Sequence, residues 1–280
     1  METSELTLPF IDDISGTVRG YRIFTACRTI RGKIFRLEDH LDRLYNSAVG
    51  IHMTPPMTRD RLRSLLEEIV QKNVQAGHSY PLLVDVIFSG GLEGSTMKKS
   101  SSGAHLYVAV QKMEPPPPEL YQNGVGLAAF THQRMLPDDK LLNYVVAILA
   151  HQVVVPQHDA YDVVFLCPTD GRTILEGSTF TVFFVDTEGV IRTPPLDGRI
   201  LDSVTRRVVL ELIAKEPRFS LKEAPIRLDE VSSFAEGFLV STTRNVLPVV
   251  RIDGTIIGTG SPGPVTEELM RAFNDYIDSY

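Results

Sequence analysis

Lys140 follows a Leu-Pro-Asp-Asp turn and precedes an apolar run, in the stretch LPDDKLLNYVVAILAHQ at 136–152. An ammonium beside apolar surface loses solvation, its pKa falls, and the amine becomes a candidate nucleophile toward a carbonyl. A solvated lysine at a helix start is the ordinary alternative. Glu176 closes a β-type run in ILEGST (174–179), which offers either a carboxylate aimed into a cleft or a turn carboxylate in water. In RILDSVTRRVVLEL (199–212) Ser203 fits an N-cap. The N–H groups of Val204 and Thr205 would then be free at the positive end of a helix dipole, a seat for an anion. LVSTTRNVLPVV (239–250) gathers Ser241, Thr242 and Thr243 in a turn between two strands. Arg43, in FRLEDHLDRLYNSA, points away from the stripe of Leu41, Leu44 and Tyr45. A solvated helix face is its default reading.

The elements that must position these groups are legible as patterns. Residues 20–36 read as two strands about a turn at Arg31-Gly32. Leu41, Leu44, Tyr45 and Ala48 mark one amphipathic helix, and Leu62, Leu65, Leu66 and Ile69 a second. Strands at 82–88 and 105–112 flank the polar, glycine-rich loop SGGLEGSTMKKSSSG. The four prolines of MEPPPPEL (113–120) favour an extended conformation and read as a linker. Beyond it, strands are expected at 124–130, 162–167, 173–176, 179–185, 190–193, 237–241, 247–252 and 255–257. A helix behind Lys140 would bury Leu141, Tyr144, Val145 and Ile148. Another starts near Ser203 with Val204, Val208, Leu212 and Ile213 inward, and a last one spans about 265–277. The second half reads as a mixed sheet or open barrel carrying helices.

The chain of 280 residues is 43% hydrophobic and carries a net charge of −7. Such an acidic balance argues against nucleic-acid binding. Its longest apolar run, 145–150, is far too short to span a bilayer, so no membrane partner is expected. The first 15 residues lack a basic start and an apolar core. Cys27 and Cys167, without metal-ligand spacing, point to a reducing compartment and a cytoplasmic protein. The seven histidines show no metal-ligand pattern, and the phosphate-loop, dinucleotide, zinc-protease and hydrolase-elbow motifs are absent.

Singly these signals are weak, but their order carries information. HLDRLYNSA, KLLNY, ILEGST, RILDSVTR and STTRNVLPV together resemble class IV pyridoxal-phosphate (PLP) aminotransferases. That family includes D-amino-acid and branched-chain aminotransferases and aminodeoxychorismate lyase. The resemblance spans roughly 18–277. It implies a mixed α/β chain of fold type IV: an N-terminal α/β domain (1–113), a linker (114–120) and a C-terminal pseudo-barrel (121–280), with the cofactor between the domains and a homodimer as the assembly. Lys140 then resembles the Schiff-base lysine and Glu176 the carboxylate that pairs with the pyridine nitrogen. Leu201 resembles the residue packed on the ring. Val204 and Thr205 resemble the backbone donors to the 5′-phosphate, with Ser203 beside them, Thr242 and Thr243 adding donors and Arg43 the guanidinium. Amino acids and 2-oxo acids are the implied substrates, exchanged by ping-pong kinetics.

The chain also departs from the family. The motif after Glu176 runs Ser178-Thr179-Phe180-Thr181 where asparagine is usual, and Ser203 stands where glycine is usual. The first strand reads VRGYRIFTACRT, an R-G-Y opening similar to a subgroup that includes D-amino-acid enzymes. The step from Lys140 to Asn143 (K-x-x-N), the length and the STTRNVLPVV segment also favour D-amino-acid aminotransferases. A branched-chain L-enzyme is the alternative, then the lyase. The arginine-x-histidine carboxylate trap of well-known D-amino-acid enzymes is missing from GLEGSTMKKSSSGAH, which retains only His105. Arg19, Arg244 and Arg22 are the candidate replacements, and Phe24 joins them as an expected substrate contact.

Overall fold

In a computed structural model, residues 10–78, 81–93, 97–99 and 103–280 are described. The chain divides into two compact units, one of Met1–Met113 with Asp139–Asn143, the other of Glu114–Asp138 with Tyr144–Tyr280.

The first unit begins with a short helix α1 (Ile14–Thr17). It continues through strands β1 (Arg22–Ile30) and β2 (Lys33–Ile34) and helices α2 (Leu37–Gly50) and α3 (Arg59–Gln75). Strands β3 (Leu82–Ser89), β4 (Leu92–Glu93), β5 (Lys98–Lys99) and β6 (His105–Lys112) complete it. The sheet order is β2-β1-β3-β6, all antiparallel. Arg31 and Gly32 take φ of 49° and 76°, the positive values that a two-residue hairpin turn demands. The sequence predicts this turn and both helices. Alternation along the strands sends Ile23, Cys27, Val84, Val86 and Phe88 to one face, where they meet Leu41, Leu44 and Ala48 of α2 and Leu62, Leu66 and Val70 of α3. The opposite face therefore carries Arg22, Phe24, Ser89 and Tyr107. In the glycine-rich loop, β4 pairs with β5. Its residues 94–96 and 100–102 lie outside the described residues, as do residues 1–9.

The second unit opens with α4 (Pro118–Asn123). The proline run is extended only as far as Pro117 (φ −57°, ψ 145°), and Pro118 begins the helix. A first-turn residue needs no amide N–H, so the linker ends sooner than the composition implies. Next come β7 (Val125–Thr131), α5 (Val145–Gln157), β8 (Asp162–Leu166), β9 (Thr173–Gly177), β10 (Thr181–Val185), β11 (Val190–Thr193) and α6 (Val204–Lys215). Then follow β12 (Ser220–Glu223), β13 (Ile226–Arg227), a 3-10 turn (Leu228–Ser233), β14 (Glu236–Ser241), β15 (Asn245–Ile252), β16 (Thr255–Ile256) and α7 (Pro264–Ser279). Ten strands form one curled, half-barrel sheet of order β12-β11-β10-β14-β15-β7-β8-β9-β13, with β16 on β15. The β11–β12, β15–β7 and β7–β8 pairs are parallel and the rest antiparallel. Leu127, Val164, Ile174, Phe184, Leu239 and Leu247 lie in its main core. The short β12 and β13 escape sequence reading because two to four residues carry too little periodicity.

The reading of the stretch after Lys140 needs correction. Residues 140–143 are not helical, and α5 starts at Val145. The expected inward stripe is largely outward: Val145 is 63% and Ile148 57% exposed, while Ala147 and Ala150 are buried. The helix is apolar on every side, so periodicity could not fix its rotation, and the small alanines turn toward β7 and β8.

Candidate active site

In the first unit, Lys140 joins the edge of β1. Phe24 N–H donates to the Lys140 carbonyl and Leu142 N–H to the Arg22 carbonyl, both at 3.0 Å, and Leu141 bridges Ile23. The Lys140 N–H donates to Ser47 Oγ of α2 at 3.0 Å. The backbone is thus fixed from two sides, and Nζ lies 4.8 Å from the centre of the Phe24 ring. An aromatic face stabilises an ammonium at that range. Asp85, on the same sheet face as Phe24, has its pKa raised by burial, against the lowering effects of a hydrogen bond from Gln111 and of the Lys140 charge.

Arg43 corrects its default reading, because it is buried. Its Nη2 donates to Thr25 Oγ1 at 3.1 Å, and that oxygen lies 2.8 Å from His40 Nδ1. The guanidinium is held against β1 by partners far from it in sequence. Burial pushes the neighbouring Cys27 thiol up to about 12, against the Arg43 charge. Both cysteines are free thiols. Arg22 lies on the Phe24 face of β1, whereas Arg19 is exposed in the turn before it.

In the second unit, Glu176 is 6% exposed. Arg134, which the sequence reading missed, clamps it: Nε and Nη2 lie 2.8 and 2.7 Å from Oε1. Oε2 accepts the Leu201 N–H at 3.3 Å, which places the two residues side by side. The signal available in sequence was only an arginine in the loop before Lys140. Gly177 has no room for a side chain, since a Cβ there would meet the Phe180 ring at 2.1 Å. Burial and the Arg134 charge lower the His132 pKa.

Ser203 caps α6, its Oγ accepting the Arg206 N–H. The N–H groups of Val204 and Thr205 have no partner among the described residues, and α6 packs against β14. The hydroxyls of Thr242 and Thr243, in the turn after β14, are also without a partner there. These orphan donors suit a dianionic phosphate, and the oriented carboxylate suits a protonated ring nitrogen. The residues present therefore fit PLP. Arg244, by contrast, is engaged by its own unit. It donates to Tyr161 OH at 3.1 Å, Thr179 Oγ1 at 2.8 Å and the buried Asp162 Oδ2 at 2.9 Å. Among the described residues no group of His, Cys, Asp and Glu could hold a metal, and no helix is long and apolar enough to cross a membrane.

The Amino-transferase class IV family model matches residues 22–252. A D-alanine aminotransferase of Bacillus licheniformis is 31% identical, over 99% of this chain and 94% of its own. A solved T.th. Branched-Chain Amino Acid Aminotransferase with pyridoxamine 5′-phosphate is 26% identical, with TM-score 0.81 over 93% of this chain and 86% of that one. A hypothetical aminotransferase from Mycobacterium tuberculosis, 23% identical, shares the fold with TM-score 0.84 over 100% and 96% of the two chains.

Proposed function

The chain belongs to the class IV aminotransferases, and from that premise we propose that it moves an amino group between a D-amino acid and a 2-oxo acid, in two ping-pong half-reactions on pyridoxal 5′-phosphate. The observation that carries the D-amino-acid reading is the D-alanine aminotransferase relative matched over nearly the whole chain, together with the K-x-x-N step at Lys140.

Lys140 would hold the cofactor through its amine, and its Nζ would carry the substrate Cα proton. Its fixed backbone and the Phe24 ring support that role, since proton transfer requires an amine held in place. Glu176 keeps the ring nitrogen protonated, and the Arg134 clamp keeps its carboxylate aimed. When bound, the cofactor supplies an electron sink for the charge left at Cα. Leu201 would line the face of the cofactor ring. Val204, Thr205, Thr242, Thr243 and Arg43 would hold the phosphate, with Ser203 shaping the helix end.

The working unit of this reading is a homodimer. Val145, Ile148, Leu149 and Val153 leave an apolar stripe exposed along α5, each more than half exposed, which a second copy would cover. The cytoplasm suits two free thiols.

A branched-chain L-amino-acid enzyme is the second reading, favoured by the solved branched-chain neighbour. Half-reactions with D- and L-forms of alanine, glutamate and leucine decide between them. Conversion of L-leucine alone would overturn the D-amino-acid assignment. Lys140→Ala should lower turnover by about 10³-fold or more, and full activity in that variant would refute the mechanism.

A further inference from the structure

The sequence lacks the arginine-x-histidine carboxylate trap of well-known D-amino-acid enzymes, and the polar face of the first unit's sheet offers another cation. On that face Arg22, Ser89 and His105 stand in one cross-strand row, and Phe24, Ile87 and Tyr107 in the next. Arg22 and Phe24 are neighbours on that face, their Cα atoms about 7 Å apart along β1, and the Phe24 ring lies 4.8 Å from Lys140 Nζ. The Arg22 carbonyl also pairs with the Lys140 segment through the Leu142 N–H.

Arg22 is unusually well aimed. Its Nε donates to Ser89 Oγ at 2.7 Å, and Nη2 reaches Asp13 Oδ2 at 3.4 Å. Asp13 is completely buried. Its Oδ2 also accepts the Ser89 hydroxyl at 2.6 Å and the Tyr107 hydroxyl at 3.0 Å. Two glycines make this closeness possible. A Cβ at Gly16 would fall 2.0 Å from Ser89 Oγ, and one at Gly90, where φ is +73°, 2.0 Å from Asp13 Oδ1. Asp13 in addition ties down α1, its carbonyl accepting from Thr17 N–H at 2.8 Å and Thr17 Oγ1 at 2.7 Å. Through these bonds one buried carboxylate fixes a guanidinium, a serine and a tyrosine.

The other arginines are less suited. Arg244 spends Nε, Nη1 and Nη2 on its own unit, and Arg19 is exposed on a turn with nothing among the described residues to orient it. Arg22 keeps Nη1 without a partner among the described residues, and its side chain is 21% exposed.

We propose that Arg22 receives the α-carboxylate of the amino-acid and 2-oxo-acid substrates, and that Asp13, acting with Ser89 and Tyr107, is its positioning residue. This rests on the aminotransferase reading, whichever enantiomer is preferred. A guanidinium held on its Nε side presents its remaining edge to one carboxylate geometry, and that pre-organisation lowers the cost of binding. Burial and the Asp13 hydrogen bond push the Tyr107 phenol up to about 12, as a hydroxyl committed to a buried carboxylate requires.

The test uses PLP-loaded enzyme and its best amino acid, beside 1-phenylethylamine, an amine without a carboxylate. Arg22→Gln and Asp13→Asn should each raise KM for the amino acid about tenfold or more with kcat little changed. The half-reaction with 1-phenylethylamine should be unaffected. Arg22→Lys should recover part of the loss. Asp13→Asn should also move the Tyr107 phenol titration back toward its ordinary value, with Tyr107→Phe identifying the signal. Should Asp13→Asn not fold, Ser89→Ala carries the same expectation. An unchanged KM in Arg22→Gln overturns the carboxylate assignment. A raised KM in Arg22→Gln, with none in Asp13→Asn or Ser89→Ala, overturns the positioning role. A wild-type enzyme that converts no amino acid would instead refute the aminotransferase reading.

Discussion

Arg134 clamps Glu176 through two nitrogens on one carboxylate oxygen, at 2.8 and 2.7 Å, leaving the other oxygen to the Leu201 N–H. Both side chains are largely shielded, at 14% and 7% exposure. Removing one partner of such a pair strands the other charge. Arg134→Met should therefore cost about 3 kcal/mol of stability, read from chemical denaturation. A double-mutant cycle with Glu176→Gln should return most of that as coupling. Independent, additive losses would show that the clamp contributes little.

The cap of α6 gives a graded pair. Ser203→Ala removes the acceptor of the Arg206 N–H and should cost about 1 kcal/mol, while Ser203→Gly should cost only a few tenths. Thermal denaturation of the two variants checks the order. If glycine were the worse of the two, the cap would not be the operative contact.

The exposed stripe of α5 predicts assembly. Ile148→Asp with Leu149→Asp places two charges on side chains that are 57% and 56% exposed in the single chain. Burying unpaired charge in an interface is costly. Sedimentation should show a dimer become a folded monomer. A wild-type protein that sediments as a monomer would refute the dimer.

His151 sets a pH dependence. Its Nε2 lies 2.9 Å from Asp162 Oδ1. That hydrogen bond raises its pKa from 6.5, against burial and the Arg244 charge. Because the folded value lies above the unfolded one, the contribution is complete below the unfolded pKa and is lost as pH rises through the folded value. Arg244 and Ser178 share Asp162, so the carboxylate stays partnered when the imidazole is neutral. His151→Gln should narrow its Tm gap to wild type between about pH 5.5 and pH 8.5. A gap independent of pH would exclude the ionised pair.

Patterns within one element are readable in the sequence. The Arg31-Gly32 hairpin turn, the inward face of α2, Leu62 and Leu66 of α3 and the Ser203 cap follow from local sterics and from spacings of two and 3.6 residues. What spacing cannot encode is rotation when a helix is apolar all round. For that reason periodicity assigns α5 the wrong buried face, and Ala147 and Ala150 lie inward where Val145 and Ile148 are expected. Nor can it show that a charged residue off the apolar stripe is covered. Arg43 is buried, and Thr25 of β1, 18 residues away, accepts from its Nη2.

By itself the sequence determined the class of chemistry: an amine, a carboxylate, a capped helix start and a hydroxyl turn in family order. Tertiary structure alone decided which groups hold those residues. Arg134 reaches Glu176 across 42 residues, and Asp13 reaches Ser89 and Tyr107 across 76 and 94. Such pairs share no periodicity. They arise when strands close in register and bring polar groups into a space with little water, where each must find a partner.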